Sequence, residues 1–346
     1  MSSNYGYLNA RVRGLRAKLL DETFAQSAIE AGSFEAFVTS LSQTAYAPDL
    51  EEARGRREGL PMVDDAIATN VARTTRSLLR MADGRARELL GVLLMRFDAA
   101  NLKSVARTFH ARSARGGGGE SDDAVASLAA ATLPAGALDA HILERMITAA
   151  DLPNAAQVLV LKGHPLGPTF RKAVAAYAAS GDLFELEVAI DLGYHEVVRE
   201  RVEEHDVPPA FLRYGQIEID ATNLRTALKV RGRGLEPGRF FVPGGRVVSK
   251  DVFVEIASSA PGAALPSLRA PFDALGDGGD LASVEVGVRS VLERYAKGLV
   301  HDPLDIGLVT HYLYAKEREA ALLRLVARGT FYGVPSDTLR RELGHA

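Results

Sequence analysis

The residues of this chain with the clearest chemical potential are two aspartates, each followed three residues later by an asparagine. Asp98 and Asn101 lie in "FDAANLKSVAR", and Asp220 and Asn223 lie in the similar "IDATNLRTALK". Two carboxylates that shared a site could act as a general acid and base. An aspartate at a helix start, however, accepts hydrogen bonds from the free amides of the first turn and favours the positive end of the helix dipole. We therefore predict that Asp98 and Asp220 are helix N-caps rather than a catalytic pair.

A degraded third copy of this motif is predicted in "HDPLDIGLVTHYLYAKE". Asp302 takes the place of Asp220, Asp305 takes the place of Asn223, and Pro303 would occupy the first helical position. The helix that follows is expected to end at Gly329, a residue type typical of helix C-termini. Three copies of one capped helix predict three homologous helical units.

Other catalytic patterns are missing from the sequence. It contains no phosphate-binding loop, no His-Glu-x-x-His and no Gly-x-Ser-x-Gly motif. "GRGLEPG" and the four glycines at 116–119 favour a turn and a linker, and His195 and His205 lack metal-ligand spacing. We therefore predict no catalytic residue, no cofactor and no metal site. A hydrolase that uses scattered carboxylates is the least favoured alternative.

The composition favours a helical protein with several domains. The chain has 346 residues, of which 47% are hydrophobic and 25% charged, and it has no cysteine. That length fits two or three domains. The absence of cysteine excludes disulfides and fits a reducing, cytosolic setting, while the net charge of −3 argues against a dedicated nucleic-acid binder. No apolar run reaches the length of about 20 residues that spans a bilayer.

Helical periodicity predicts the elements that position these motifs. A helix over 4–20 has an apolar stripe with basic residues outside it, which favours a packed helix over the alternative of a transit peptide. Ser33 is a predicted N-cap, and "SARGGGGESDD" is a predicted linker. One small hairpin is predicted in "RFFVPGGRVV". The predicted fold is all-α, with domains at 1–115, 116–235 and 236–346.

Two groups of charged residues are candidates for a partner interface. Lys316, Glu317 and Arg318 form a cluster in an otherwise apolar helix. Their pattern fits either an exposed face with near-neighbour ion pairs or a patch that sets partner specificity, and both interpretations stay open. The second group is on the N-terminal helix and consists of Arg11, Arg13 and Arg16.

Four segments in order along the chain carry a family resemblance. They are "YGYLNARVRGLRAKLL", "FEAFVTSLSQTAYAPDL", the pair "DAANLK" and "DATNLR", and "YLYAKEREAALLRL". Together they resemble the C subunit of the prokaryotic V-type (A-type) ATPase/ATP synthase and, more distantly, the d subunit of the eukaryotic vacuolar enzyme. The four-glycine insertion and the weak third motif depart from the family pattern.

The resemblance implies both a fold and a role. The implied fold is three similar helical domains arranged as a funnel with pseudo-threefold symmetry. The implied role is that of a non-catalytic central-stalk subunit, present in one copy at the cytoplasmic face of the membrane without a transmembrane segment of its own. It would couple the D and F subunits of the shaft to the proteolipid ring during ATP-linked transport of protons or sodium ions. The alternative, a soluble helical-repeat scaffold for an unrelated partner, predicts regular repeats of about 20 to 50 residues, which the sequence lacks.

Overall fold

The computed structural model describes residues 5–114, 131–203, 207–275, 281–301 and 305–345, and within these ranges the fold is all-α, as predicted. Three short 3-10 helices lie at Pro237–Phe240, Asp273–Leu275 and Leu299–His301. The α-helices are α1 (Tyr5–Arg16), α2 (Glu22–Glu30), α3 (Phe34–Leu41), α4 (Ala47–Arg54), α5 (Gly59–Met81), α6 (Gly84–Ala114), α7 (Ala140–Ile147), α8 (Leu152–Leu161), α9 (Gly167–Ser180), α10 (Leu183–Glu203), α11 (Pro209–Val230), α12 (Lys250–Ser258), α13 (Leu281–Gly298), α14 (Gly307–Phe331) and α15 (Ser336–His345).

Short polar caps start several of these helices. The predicted cap at Ser33 is confirmed, because its Oγ accepts from the amide of Ala36 at 3.1 Å. Asp21, Asp139 and Ser249 cap α2, α7 and α12 in the same way, each accepting from the amide three residues later. Each cap satisfies an amide that has no partner inside its helix.

Helix α1 confirms the predicted amphipathic pattern in a shorter element. Tyr5, Leu8 and Val12 are buried, whereas Arg11 and Arg13 are exposed. The helix ends at Arg16, and turns carry the chain onwards.

By its internal contacts the chain divides into two compact units. One contains Met1–Leu186 together with Tyr312–Ala346, and the other contains Glu187–His311. The chain passes between them within α10 and α14. Tyr46, Phe37 and Phe170 lie in the core of the first unit, and Tyr214 and Phe253 lie in the core of the second. The predicted division into three domains, at 1–115, 116–235 and 236–346, stays a prediction.

Two predicted local features are wrong. The hairpin at 239–248 is absent, and this stretch instead joins the end of a 3-10 helix to an irregular loop. Helix α14 does not end at Gly329 but continues to Phe331. Gly329 is instead a packing residue, whose missing side chain makes room for Leu339 of α15. The four-glycine run, Asp302 and Pro303 lie outside the described residues. None of the helices in the described ranges combines the length and apolarity needed to cross a membrane.

The packing at Gly329 predicts opposite effects for one substitution at two helical glycines. At Gly329 a methyl group would stand 2.2 Å from Cδ2 of the buried Leu339, so Gly329→Ala should lower the free energy of unfolding by about 1–2 kcal/mol. At the exposed Gly91 in α6 nothing lies within 4 Å, so Gly91→Ala should raise it by up to about 1 kcal/mol. Urea unfolding of both variants measures these changes, and equal effects would contradict the packing role.

Candidate functional site

Asp98 is a buried residue in the middle of α6, so its predicted role as an N-cap is wrong. The amides around it already bond within the helix, and its side chain points outward to a distant loop. Its Oδ2 accepts from the amide of Ala137 at 3.0 Å and its Oδ1 accepts from the amide of Leu138 at 2.9 Å. His164 places its Nε2 3.1 Å from Oδ2. The aspartate therefore fixes the loop that leads into α7.

Asn101 fixes the same loop one helical turn later. Its Nδ2 donates to the carbonyl oxygen of Leu133 at 2.9 Å, and its Oδ1 accepts from the amide of Leu133 at 3.0 Å. One amide side chain thus satisfies both backbone groups of the residue before Pro134. This pairing explains why the motif uses asparagine, which offers a donor and an acceptor together.

The second copy repeats this geometry in α11, so the N-cap prediction for Asp220 is wrong as well. The Asp220 carboxylate accepts from the amides of Arg246, Val247 and Val248 at 2.9 to 3.2 Å. Asn223 donates to the carbonyl oxygen of Val242 at 2.8 Å and accepts from its amide at 2.9 Å. Because these side chains take up the loop amides, the segment at 239–248 has no need of a hairpin ladder.

Burial and hydrogen bonding act in opposite directions on Asp220. Its side chain is fully buried, and burial raises the pKa of the carboxyl group above its ordinary value. The bonds from the backbone amides of Val248, Arg246 and Val247 lower that pKa again, though only in part. The three amides therefore offset part of the cost of burying the charge.

Each loop carries a glycine where it passes the carboxylate. A Cβ atom on Gly136 would lie 2.2 Å from Oδ1 of Asp98, and one on Gly245 would lie 2.1 Å from Oδ1 of Asp220. No side chain fits in either space. The glycines that follow Pro134 and Pro243 are thus required by the aspartates.

A third buried carboxylate that binds the amide of a distant loop is Glu319 in α14, which is accompanied by Lys316. Glu319 Oε1 accepts from the amide of Leu20 at 2.7 Å, and Glu319 Oε2 accepts from the hydroxyl of Tyr46 at 2.9 Å. Lys316 bonds to the same Oε2 and donates to the Tyr46 hydroxyl at 3.0 Å. Burial lowers the pKa of Lys316, and it raises the pKa of Tyr46 well above its ordinary value.

The three arrangements, which we call the helix clamps, share one more property. In each clamp, one of the amides bound by the carboxylate belongs to the residue directly before a helix N-cap. Leu20 precedes the cap Asp21, Leu138 precedes Asp139, and Val248 precedes Ser249. In every case a long helix holds the entry of a shorter capped one. The third clamp differs because its loop comes from the beginning of the chain.

The predicted third copy does not coincide with the third clamp. Asp302 lies outside the described residues. Asp305 is buried, and its Oδ1 accepts from the amide of the next residue, Ile306. The signal that could have identified the third clamp is the same three-residue spacing, which Lys316 and Glu319 keep with different residue types.

The predicted interface residues have different surroundings. Lys316 is buried in the third clamp, so its predicted place at a partner surface is wrong. Glu317 is half exposed and pairs with Arg96 at 2.9 Å, and Arg318 pairs with Glu22. These two fit the interpretation of an ion-paired face. Arg11 and Arg13 are exposed and Arg16 is half-buried, and their part in an interface stays a prediction.

The bonds of the clamps give these carboxylates a structural role. Each carboxylate accepts from backbone amides at buried or half-buried positions. Within the ranges that the structure describes, no three histidine or acidic side chains are grouped closely enough to hold a metal ion.

Comparison with known proteins gives one family and several relatives. Residues 8–342 match the family model described as ATP synthase (C/AC39) subunit. In Deinococcus radiodurans, the protein named as the C subunit of the V-type ATP synthase is 35% identical over 344 residues, which cover 99% of this chain and 92% of the relative. Its namesake in Thermus thermophilus is 35% identical over 99% of both chains. The C subunit of the A-type ATP synthase of Haloferax volcanii is 26% identical over 99% of this chain and 97% of its own.

The second clamp predicts a large effect for a small change. Asp220→Asn replaces one accepting oxygen by a donor that would face backbone donors, and it should lower the free energy of unfolding by about 3 kcal/mol. Asp251→Asn, an exposed aspartate on α12 in the same unit, is the control and should change it by less than about 0.5 kcal/mol. Urea unfolding measures both, and hydrogen exchange should show faster exchange at Arg246–Val248 only in the first variant. Equal stability of the two variants would refute the clamp.

The third clamp can be tested at two neighbouring glutamates. Glu319→Gln leaves the buried Lys316 without its counter-charge and should lower the free energy of unfolding by about 3–5 kcal/mol. Glu317→Gln breaks only the half-exposed pair with Arg96 and should lower it by less than about 1 kcal/mol.

A rescue variant separates charge from shape at this clamp. Lys316→Met combined with Glu319→Gln removes both charges and should recover at least about 2 kcal/mol of the loss, as measured by thermal or urea unfolding. No recovery in the double variant would show that the buried pair is not the cause of the destabilisation.

Proposed function

We propose, from the premise that this chain belongs to the ATP synthase (C/AC39) subunit family, that it is the C subunit of a V-type or A-type ATP synthase. The observation that carries the proposal is the match over residues 8–342, which spans the clamps and both compact units. Full-length relatives with that name, at 35% identity, support it. The same match disfavours a scaffold for an unrelated partner. The subunit is non-catalytic.

Its proposed role is to couple the D and F subunits of the shaft to the proteolipid ring. Torque passes through a connecting piece only if that piece does not yield, and a packed helical body with fixed loops is suited to this. The clamps supply the stiffness, because they tie loop backbone to the middle of long helices. The first clamp makes four such hydrogen bonds and the second makes five. The third makes one, to the amide of Leu20. In this role the subunit lies peripherally, on the cytoplasmic face of the membrane, in one copy per complex.

Purification from solubilised membranes tests the assignment. An affinity-tagged form of this chain should bring down the D and F shaft subunits and the proteolipid ring, identified by mass spectrometry. A matched purification from cells that carry the tag on an unrelated cytosolic protein is the control. Recovery of a defined set of other proteins, without any ATP synthase subunit, would overturn the assignment.

Deletion of the gene tests the coupling role. We expect membrane vesicles from the deletion strain to lose ATP-driven ion pumping, while the soluble head keeps its ATP hydrolysis, because chemistry and transport would be mechanically disconnected. Expression of the wild-type chain from a plasmid should restore pumping. Loss of ATP hydrolysis in the isolated head would instead indicate a part in catalysis.

A further inference from the structure

One cleft of the first unit is lined with arginines. It has a volume of about 700 Å³ and lies between α5 and the segment after α4 on one side and α7 with the loop of the first clamp on the other. Arg73, Arg76 and Arg80 project from α5, and Arg56 and Arg57 follow the end of α4. Three acidic residues also line it, namely Glu52, Asp65 and Glu144.

Internal ion pairs use only some of this positive charge. Arg56 pairs with Glu52 at 3.2 Å and with Asp65 at 3.1 Å, so two of the three acids share one arginine. Arg73 pairs with Asp49 at 2.6 Å. In the part of the chain that the structure describes, Arg57, Arg76 and Arg80 have no acidic partner, and Arg76 and Arg80 are exposed. The cleft therefore keeps a surplus of positive charge in a protein whose net charge is −3.

The arrangement of the arginines indicates the shape of what they bind. Positions 73, 76 and 80 lie on one face of α5 and spread over roughly 10 Å along its axis, at about 1.5 Å per residue. A single phosphate needs donors that converge on one point, whereas this row matches a row of acids on an extended partner. Apolar lining comes from the exposed Ala140 on the α7 side and from Ala68, Ala72 and Leu143, which are largely buried at the base of the cleft. An amphipathic helix with acids at spacings of three and four residues offers both features.

We infer that this cleft binds an acidic amphipathic helix of a partner chain. The inference rests on the proposed function in one respect: the partner is taken to be another subunit of the same ATP synthase. Arginine suits such a surface because its planar guanidinium binds carboxylates through two parallel hydrogen bonds. The opposite wall includes the loop of the first clamp, where Asn101 binds both backbone groups of Leu133 between the lining residues Thr132 and Pro134.

Charge reversal on α5 tests the inference. We expect Arg76→Glu combined with Arg80→Glu to weaken retention of partner subunits in the affinity purification by about tenfold to a hundredfold, through like-charge repulsion. The control is Arg171→Glu with Lys172→Glu, an equal charge reversal at exposed positions of α9 away from the cleft, which should leave retention unchanged. Thermal unfolding should show that both variants fold like the wild type. Equal retention of partners by the two variants would overturn the inference.

A synthetic peptide separates this inference from the proposed function. A helical peptide with glutamates on one face and leucines on the other should bind the isolated wild-type chain, as measured by fluorescence anisotropy, and the α5 variant at least about tenfold more weakly. Weaker peptide binding by the α5 variant would support the cleft as a binding site for an acidic helix. It would do so even if the tagged chain recovered no ATP synthase subunit, a result that would count against the proposed function alone. If inorganic triphosphate bound the wild-type chain tightly, and the peptide did not bind, the cleft would be a small-anion site and the inference would be wrong.

Discussion

The structure depends on one interaction: a side-chain carboxylate in the middle of a long helix that accepts hydrogen bonds from the amides of a remote loop. Irregular loops have no ladder or helix to satisfy their backbone, and a buried amide without a partner costs about 1–3 kcal/mol. At Asp220 a single side chain binds three such amides. The long helix gives up none of its own hydrogen bonds, because the backbone groups in the middle of a helix already bond to one another. Without the carboxylate, the three loop amides would lose their shared hydrogen-bond acceptor.

Recurrence of the clamp gives the chain its internal order. In all three copies the bound amide stands directly before a capped helix, so the clamp sets the point where the next helix starts. The third copy joins Glu319 to Leu20, residues at nearly opposite ends of the sequence. The beginning of the chain thus completes the clamp of the last long helix. The clamp thus occurs three times in the described residues, while the threefold repetition of whole domains stays a prediction.

Sequence reasoning identifies the fold class and the motif but not the motif's function. The all-α class, the cap at Ser33 and the buried stripe of α1 follow from local periodicity and local polar residues, which act over three or four positions. Asp98 and Asp220 are recognisable by their repetition, yet a capping aspartate and a clamping one look alike in sequence. Only the partner distinguishes them, and Leu138 is separated from Asp98 by 40 residues. The third clamp uses lysine and glutamate in place of aspartate and asparagine, so only its spacing carries a signal. The hairpin predicted at 239–248 is absent because the side chains of Asp220 and Asn223 bind its amides, a competition that no local window contains.

The first clamp and the arginine cleft lie in the same compact unit and share a loop. Thr132 and Pro134 line the cleft and flank Leu133, whose amide and carbonyl group are both bound by Asn101. Arg324 of α14 also donates to the carbonyl oxygen of Thr132 at 2.8 Å, and it forms an ion pair with the buried Asp64 of α5. The cleft wall is therefore bonded to α6 and α14, and through Asp64 to α5. Such bonding would suit the coupling role proposed above, in which the loop must hold its position under load.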